Sequence, residues 1–199
     1  MKLHNHYKMG HIICNNMTKN GIPLKKSLFI FGSLVPDLLV TYIFNKHSQS
    51  KCFSRLKKLL KRICKASSSN SLIFSYYSGV AAHYICDFLC YAHTPVFSGS
   101  LRDHLIYEKY QSFIDTEVLP FNMQDSMRYN LAEFISALEE RILMRVRILS
   151  MNAELSFSDI PVAINIASWA TSVAYLHCNN YPQPVQHINL YLREHEKTA

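Results

Sequence analysis

A long apolar run that carries two ionisable residues constrains the fold of this chain more than any other feature. Residues 71–92 are rich in aliphatic and aromatic side chains, yet they include His83 and Asp87. A run of this length predicts a buried helix, and residues four apart lie on one face of a helix. A buried carboxylate requires a partner, and a metal ion is an economical one. The run therefore predicts a core helix with a metal-binding pair.

Three apolar stretches are long enough to raise the alternative of a membrane span. They are residues 28–44, 72–92 and 160–178. The first contains Pro36 and Asp37, and the second contains the pair described above. An aspartate without a partner is costly inside a membrane. We therefore interpret all three stretches as core helices and expect no transmembrane span.

Helical periodicity recurs along the chain, whereas the alternation typical of strands is scarce. Glycine and proline are sparse, which favours a compact, helix-rich fold. We predict one all-α domain, a single-domain helical bundle over residues 1–199. Pro36 disfavours helical angles at Val35, so Asp37 is expected on a bend that points into a cleft. The predicted helices are residues 3–17, 24–34, 50–65, 71–92, 101–118, 124–150 (one long helix or two joined ones), 160–178 and 183–195.

A second group of metal-binding residue types follows the first. His93 is expected just beyond the end of its helix, and His104 and Glu108 are again four residues apart. Each residue alone is weak evidence, because an isolated histidine is more often a hydrogen-bonded core residue. The joint spacing His-x3-Asp-x5-His-x10-His-x3-Glu is far more specific, and all its members are zinc-ligand types. Earlier candidates that could complete the cleft are His6, Asp37 and His47.

The net charge of +7 favours phosphate-bearing partners without choosing among them. Residues 50–65 form a basic amphipathic segment whose apolar positions recur at helical spacing. Packing of this helix against the core is the favoured interpretation. A helix that faces a membrane surface or a nucleic acid is the alternative.

The start of the chain and its cysteines bear on its location. The first residues are polar and lack the apolar segment of a secretory signal. The six cysteines show neither paired CxxC motifs nor the density of a disulfide scaffold. We therefore expect a cytoplasmic protein.

Several segments of the chain resemble the zinc-dependent phospholipase C family, which shares an all-α fold with the P1-type nucleases. They are Gly79 to His93 with its His-x3-Asp-x5-His spacing, His104 to Glu108, and Phe31-Gly-Ser-Leu-Val-Pro-Asp37. His6, followed by Met9-Gly10, is similar to the N-terminal histidine of short bacterial members. The resemblance covers roughly residues 6–110, and residues 120–199 show none.

This resemblance implies a site with two to three zinc ions. The first ion would be held by Asp37, His47, His83 and Asp87, the second by His93, His104 and Glu108, and the third by His6 with Asp87 as a bridge. In secreted relatives a processed N-terminal tryptophan also binds the third ion. This chain has no tryptophan near its start, so the amine of Met1 or the ring of His4 would have to substitute.

The resemblance also implies a phospholipase C-like hydrolase that cleaves phosphodiester bonds by attack of a zinc-activated water. Asp37 would be catalytic, as the residue that orients the water or acts as base. A phospholipid or another phosphoester is the expected substrate, with peripheral membrane contact through residues 50–65 and nucleic acid as a less favoured partner. A P1-type nuclease or 3′-nucleotidase and a non-catalytic zinc-binding helical protein are the alternatives.

Overall fold

The structure is a computed structural model that describes residues 1–38, 49–65, 71–111, 126 and 129–179. These ranges contain α-helices and two short 3₁₀ segments, Tyr91–His93 and Ala153–Ser158, and they contain no β-strand. The all-α prediction is therefore confirmed. The helices are α1 (Leu3–Lys19), α2 (Lys26–Leu38), α3 (Gln49–Lys65), α4 (Ser71–Leu89), α5 (Leu101–Gln111), α6 (Leu131–Met151) and α7 (Asp159–Cys178).

Helix α4 lies at the centre of the core. Every residue from Ser78 to Leu89 is buried, as the apolar run predicts for a core helix. Helices α1, α2, α3 and α7 all pack against it. A helix that is apolar on all sides is stable in water only when neighbours cover it in this way. The His83–Asp87 pair is consequently enclosed by protein.

Two glycines allow α2 and α4 to approach each other closely. A Cβ atom at Gly32 would overlap the carbonyl oxygen of Tyr76, and one at Gly79 would overlap the carbonyl oxygen of Phe29. The two backbones are therefore in direct contact, which only residues without a side chain permit. This contact places Asp37, at the end of α2, beside His83 of α4.

Asp37 lies in the last turn of α2 and not on a bend, so this detail of the sequence interpretation was wrong. The helix continues through Pro36 to Leu38. Val35 and Pro36 are both buried, and their tertiary packing stabilises a helical backbone that the proline alone disfavours.

Helix α4 ends at Leu89, three residues earlier than predicted. Cys90 has an extended backbone, and the 3₁₀ turn that holds His93 follows it. The N–H group of Tyr91 donates a hydrogen bond of 2.6 Å to Oδ2 of Asp159. This bond from α7 satisfies a donor that a continued helix would have used internally.

Helix α6 begins at Leu131, and residues 124, 125, 127 and 128 of the predicted segment lie outside the described residues. Asn130 and Glu133 form a capping box, in which each side chain accepts a hydrogen bond from the other residue's backbone N–H. Such a cap fixes the first turn of a helix. The predicted helix at 183–195 and residues 112–118 of another predicted helix lie outside the described residues.

The apolar face of α3 packs into the core, as the favoured interpretation predicts. Cys52, Leu56, Leu60 and Ile63 are all buried. Among the described helices, none combines the length and the hydropathy that a membrane crossing requires.

All six cysteines lie within the described ranges, and none forms a disulfide. Five are buried, and Cys64 is partly exposed. Burial raises the pKa of the Cys14 and Cys178 thiols to about 11 and that of Cys64 to about 12. Burial also raises the pKa values of Cys86 and Cys90. These five thiols are therefore protonated at neutral pH.

Candidate metal centre

Three helices bring four ionisable side chains to one buried point. His6 comes from α1, Asp37 from α2, and His83 and Asp87 from α4. Nε2 of His83 lies 3.3 Å from Oδ2 of Asp87 and 3.8 Å from Oδ1 of Asp37. Nε2 of His6 lies 3.8 Å from Oδ2 of Asp37. We call these four residues the inner group.

The orientation of the His83 ring is set by a backbone contact. Nδ1 of His83 lies 2.9 Å from the carbonyl oxygen of Ser33. A carbonyl only accepts hydrogen bonds, so Nδ1 carries the proton and Nε2 offers its lone pair to the inner group. The ring of His6 stacks on that of His83, with 4.0 Å between centroids. Both contacts restrict rotation of the two imidazoles.

The two carboxylate oxygens of Asp87 face different neighbours. Oδ2 faces His83, whereas Oδ1 lies 3.2 Å from Nε2 of His6 and 3.8 Å from Nε2 of His93. Asp87 itself is completely buried. A carboxylate in this position can bind one ion through each oxygen.

A second cluster consists of His93 from the 3₁₀ turn and of His104 and Glu108 from α5. We call these three residues the outer group. Nε2 of His104 lies 2.9 Å from Oε1 of Glu108, and Nε2 of His93 lies 3.3 Å from the same oxygen. His104 and Glu108 are one helical turn apart, as the sequence spacing predicts. The side chain of Asn5 donates a 3.3 Å hydrogen bond to the backbone carbonyl of Glu108, which ties α1 to α5.

The amino group of Met1 lies between the two groups. It is 2.9 Å from Oδ1 of Asp87, 2.6 Å from Nε2 of His93 and 3.1 Å from Oε1 of Glu108. His4, the other residue considered for this position, is exposed. The structure therefore brings the Met1 amine, and not the His4 ring, to the carboxylates.

The ionisation of these groups follows from burial and from their neighbours. Burial opposes the charge of the Met1 amine, but Asp87 and other acidic neighbours outweigh it and raise the amine pKa to about 11. Burial would raise the pKa of Asp87, yet the amine and three histidines hold it well below its usual range. Burial and the neighbouring His83 lower the pKa of His6 to about 3. Asp87 is thus ionised and His6 neutral at pH 7, the states that bind metal.

The donor set fits zinc. Within the inner group, the ligand atoms of His6, His83 and Asp87 lie within 4.8 Å of one another, and those of the outer group do the same. Among the described residues, the buried Nε2 of His6 has no hydrogen-bond partner of acceptable geometry. Imidazole nitrogens and carboxylate oxygens are ligand atoms that zinc takes in proteins. The contact of His83 with a carbonyl is the usual support for a zinc-binding histidine.

The structure brings together the predicted ligands from four helices and one turn, while one predicted ligand, His47, lies outside the described residues. Those brought together are His6, Asp37, His83, Asp87, His93, His104 and Glu108.

A buried network next to the outer group was not predicted. Asp159 accepts hydrogen bonds from the Tyr107 hydroxyl and, at 2.5 Å, from the guanidinium of Arg145. It also accepts the bond from the Tyr91 N–H described above. The sequence signal was an acidic residue in the first turn of an apolar helix, which indicates a helix start but not the partners of the carboxylate. This network fixes the backbone two residues before His93.

The sequence model of the family described as zinc dependent phospholipase C matches residues 5–150 of the chain. The match includes every predicted ligand from His6 to Glu108 and nearly all of α6, so it extends beyond residues 6–110, where the sequence resemblance was found. No curated protein and no solved structure matches the chain significantly.

Proposed function

We propose, because the chain belongs to the zinc-dependent phospholipase C family, that it is a zinc-dependent hydrolase of phosphodiester bonds. The position of Asp87 is the observation that carries this proposal. Its two oxygens face His83 on one side and His6 on the other. Adjacent ions that share a carboxylate suit the hydrolysis of phosphoric esters, because several charged oxygens must be neutralised at once.

Two to three zinc ions would occupy the centre. Bound zinc supplies positive charge to the phosphoester oxygens and lowers the pKa of a water molecule towards neutrality. The proposed ligands are Asp37, His47, His83 and Asp87 for one ion, His93, His104 and Glu108 for a second, and His6 with Asp87 for a third. The Met1 amine lies 2.9 Å from Asp87 as an ammonium ion, so it would complete the third set only by losing a proton when zinc binds.

Asp37 is the proposed catalytic residue. Its side chain is 25% exposed, whereas those of His83 and Asp87 are fully buried. Asp37 therefore borders the side of the inner group that a substrate and a water molecule can reach. A carboxylate in this position can accept a hydrogen bond from the attacking water, orient it and receive its proton. No covalent intermediate with the protein is required.

The proposed substrate is a phospholipid, and the proposed site of action is the cytoplasmic face of a membrane. The solvent side of α3 carries exposed basic residues, Arg55, Lys58, Lys61, Arg62 and Lys65. Its apolar side is buried in the core, so contact with a membrane would be electrostatic. Anionic lipids attract such basic surfaces by about 1 kcal/mol per charge.

The alternative activity, a nuclease or nucleotidase, would require an aromatic surface for a base near the ligands. Phe97 is the candidate, because its ring lies 5.9 Å from that of His104 and is partly exposed. This role is second to the lipid proposal because Tyr91 also packs against Phe97, at 5.3 Å.

Metal analysis combined with a hydrolysis assay tests the proposal. We expect two to three zinc ions per chain and turnover of bis-p-nitrophenyl phosphate that a chelator abolishes and added zinc restores. Comparison of phosphatidylcholine with single-stranded DNA as substrates separates the lipid and nuclease activities. Stoichiometric zinc without turnover of any ester would support the non-catalytic alternative. A protein that remains free of metal after zinc reconstitution would contradict the proposal.

A further inference from the structure

A cleft opens between α2, α3 and α4, beside the metal centre. Its volume is about 330 Å³, which is large enough for a lipid headgroup. The residues that line it are Val35, Pro36, Arg55, Lys58, Leu59, Tyr76, Tyr77, Val80 and Tyr84. The cleft therefore has a basic wall from α3 and an aromatic wall from α4.

The basic wall consists of Arg55 and Lys58. These residues are three apart on α3, so they lie on the same side of the helix, and both are exposed. Within the described part of the chain, neither forms an ion pair. Lys57, between them in sequence, does form one, at 2.7 Å from Glu139. No acidic side chain in the described part of the chain therefore competes with an external anion for these two cations.

The aromatic wall offers a surface to the uncharged part of a ligand. The rings of Tyr76 and Tyr77 meet edge to face with 5.2 Å between centroids. The guanidinium of Arg62 lies 4.7 Å from the centroid of the Tyr77 ring. This cation–π contact holds the ring and adds positive charge near the cleft.

The cleft lies beside the inner group of the metal centre. Pro36 lines the cleft, and Asp37 follows it in α2. Tyr84 also lines the cleft, and its ring centroid lies 5.6 Å from that of His83. A substrate whose phosphodiester reaches Asp37 and His83 would therefore extend its next group towards Arg55 and Lys58.

We propose that this cleft binds the headgroup of the phospholipid substrate and that it selects headgroups with a negative charge of their own. A carboxylate or phosphate on the headgroup would accept charge-assisted hydrogen bonds from Arg55 and Lys58. A headgroup with a quaternary ammonium would meet like charge there and bind more weakly. This inference rests on the proposed lipid hydrolase function, since it assigns the substrate class of the same site.

The test uses short-chain lipids below their micellar concentration, so that recruitment to a charged membrane surface does not contribute. Dihexanoyl phosphatidylserine and dihexanoyl phosphatidylcholine are compared as substrates of the zinc-loaded protein. The variant is Arg55→Gln with Lys58→Gln. The control is Lys19→Gln with Arg147→Gln, which removes the same charge from exposed positions on α1 and α6, away from the cleft and from the basic side of α3. Binding of free phosphoserine is measured in parallel by calorimetry on all three proteins.

We expect the wild type to have a lower KM for phosphatidylserine than for phosphatidylcholine. The cleft variant should raise the phosphatidylserine KM about tenfold or more, because each lost charge-assisted bond is worth about that factor. The kcat values and the phosphatidylcholine KM should change less than about twofold. The control variant should behave like the wild type, and phosphoserine binding should weaken only in the cleft variant.

Equal losses in the two variants would show a general charge effect and would overturn the inference, as would a preference of the wild type for phosphatidylcholine. Phosphoserine binding that depends on Arg55 and Lys58 without any change in lipid KM would assign the cleft to a free anion and overturn the headgroup role. If no protein contains zinc or hydrolyses lipid, the proposed function fails. In that case the phosphoserine titration still reports on the cleft by itself.

Discussion

Nδ1 of His83 lies 2.9 Å from the backbone carbonyl oxygen of Ser33, and this contact decides which ring nitrogen faces the carboxylates. Ser33 lies on α2 next to Gly32, where α2 and α4 are in backbone contact. The close packing of two helices therefore also fixes the tautomer of a candidate ligand. The candidate metal centre and the contact between α2 and α4 therefore depend on the same packing.

Replacement of Asp87 by asparagine should remove zinc and activity together. Asparagine keeps the shape of the side chain but loses the charge that both groups of ligands face. Loss of residues that only support a ligand typically costs 10- to 100-fold, so we expect a decrease in turnover of at least about 100-fold. Zinc content by atomic emission and hydrolysis of bis-p-nitrophenyl phosphate measure the two effects. Asp103→Asn, at an exposed position bonded to Ser100, is the control and should change neither.

The glycine contact predicts that Gly32→Ala and Gly79→Ala are both strongly destabilising. The added methyl group would overlap a backbone carbonyl in each case, and a backbone cannot move aside as a side chain can. We expect a loss of about 3 kcal/mol in the free energy of unfolding, at the upper end for overpacking. Urea denaturation measures it. Gly21→Ala is the control: Gly21 has a φ of 73° and open space around it, so only a strain of about 1 kcal/mol is expected. Similar losses at all three positions would contradict this account.

Replacement of Arg145 by methionine should destabilise the protein by about 3–5 kcal/mol, the usual cost when one partner of a buried ion pair is removed. Asp159 would remain buried without its 2.5 Å partner. Thermal or urea unfolding measures the loss. The exposed Arg147 is on the same helix, and Arg147→Met should stay within about 0.5 kcal/mol of the wild type. A small effect at Arg145 would mean that Asp159 is not held as an ion pair.

The stability of the metal-free protein should fall as the pH decreases below 6.5. The pKa of His6 is about 3 in the folded protein, against 6.5 for an ordinary histidine. The unfolded chain therefore binds a proton between these values while the folded chain does not, and stability is lost towards low pH. Between pH 6.5 and pH 5 the loss from this residue is about 2 kcal/mol. Urea denaturation in the presence of a chelator, at several pH values, measures it. In the His6→Gln variant, the free energy of unfolding should lack this part of the dependence on pH. The same dependence in both proteins would refute the lowered pKa of His6.

The helices themselves could be predicted from the sequence because their apolar residues recur with a helical period. Spacing also placed His83 beside Asp87 and His104 beside Glu108, since residues one turn apart must be neighbours. The ends of the helices were less predictable. Pro36 suggested a bend, and tertiary packing kept the helix intact through it. The end of α4 depends on Asp159, which is far away in the sequence.

The parts of the site that could not be predicted are contacts between distant segments. No local pattern indicates that the Met1 amine lies against Asp87, or that Arg145 and Tyr107 both bind Asp159. The role of Gly32 and Gly79 could not be predicted either. A glycine can occur within a helix for several reasons, and the sequence does not show which neighbouring helix approaches it. Contacts between residues far apart in the chain produce no periodic spacing of residue types that could be recognised in a single sequence.

The buried cysteines have a consequence for how this protein handles zinc and oxidants. Thiolates compete well for zinc, but the five thiols with raised pKa values are protonated at neutral pH, and all of them except Cys64 are also buried. They would neither divert incoming zinc from the nitrogen and oxygen ligands nor react readily with peroxide. The ligands in the described part of the centre contain no sulfur. An oxidative burst that strips zinc from thiolate sites should therefore leave this centre loaded, and the protein would keep its metal when thiol-based zinc stores release theirs.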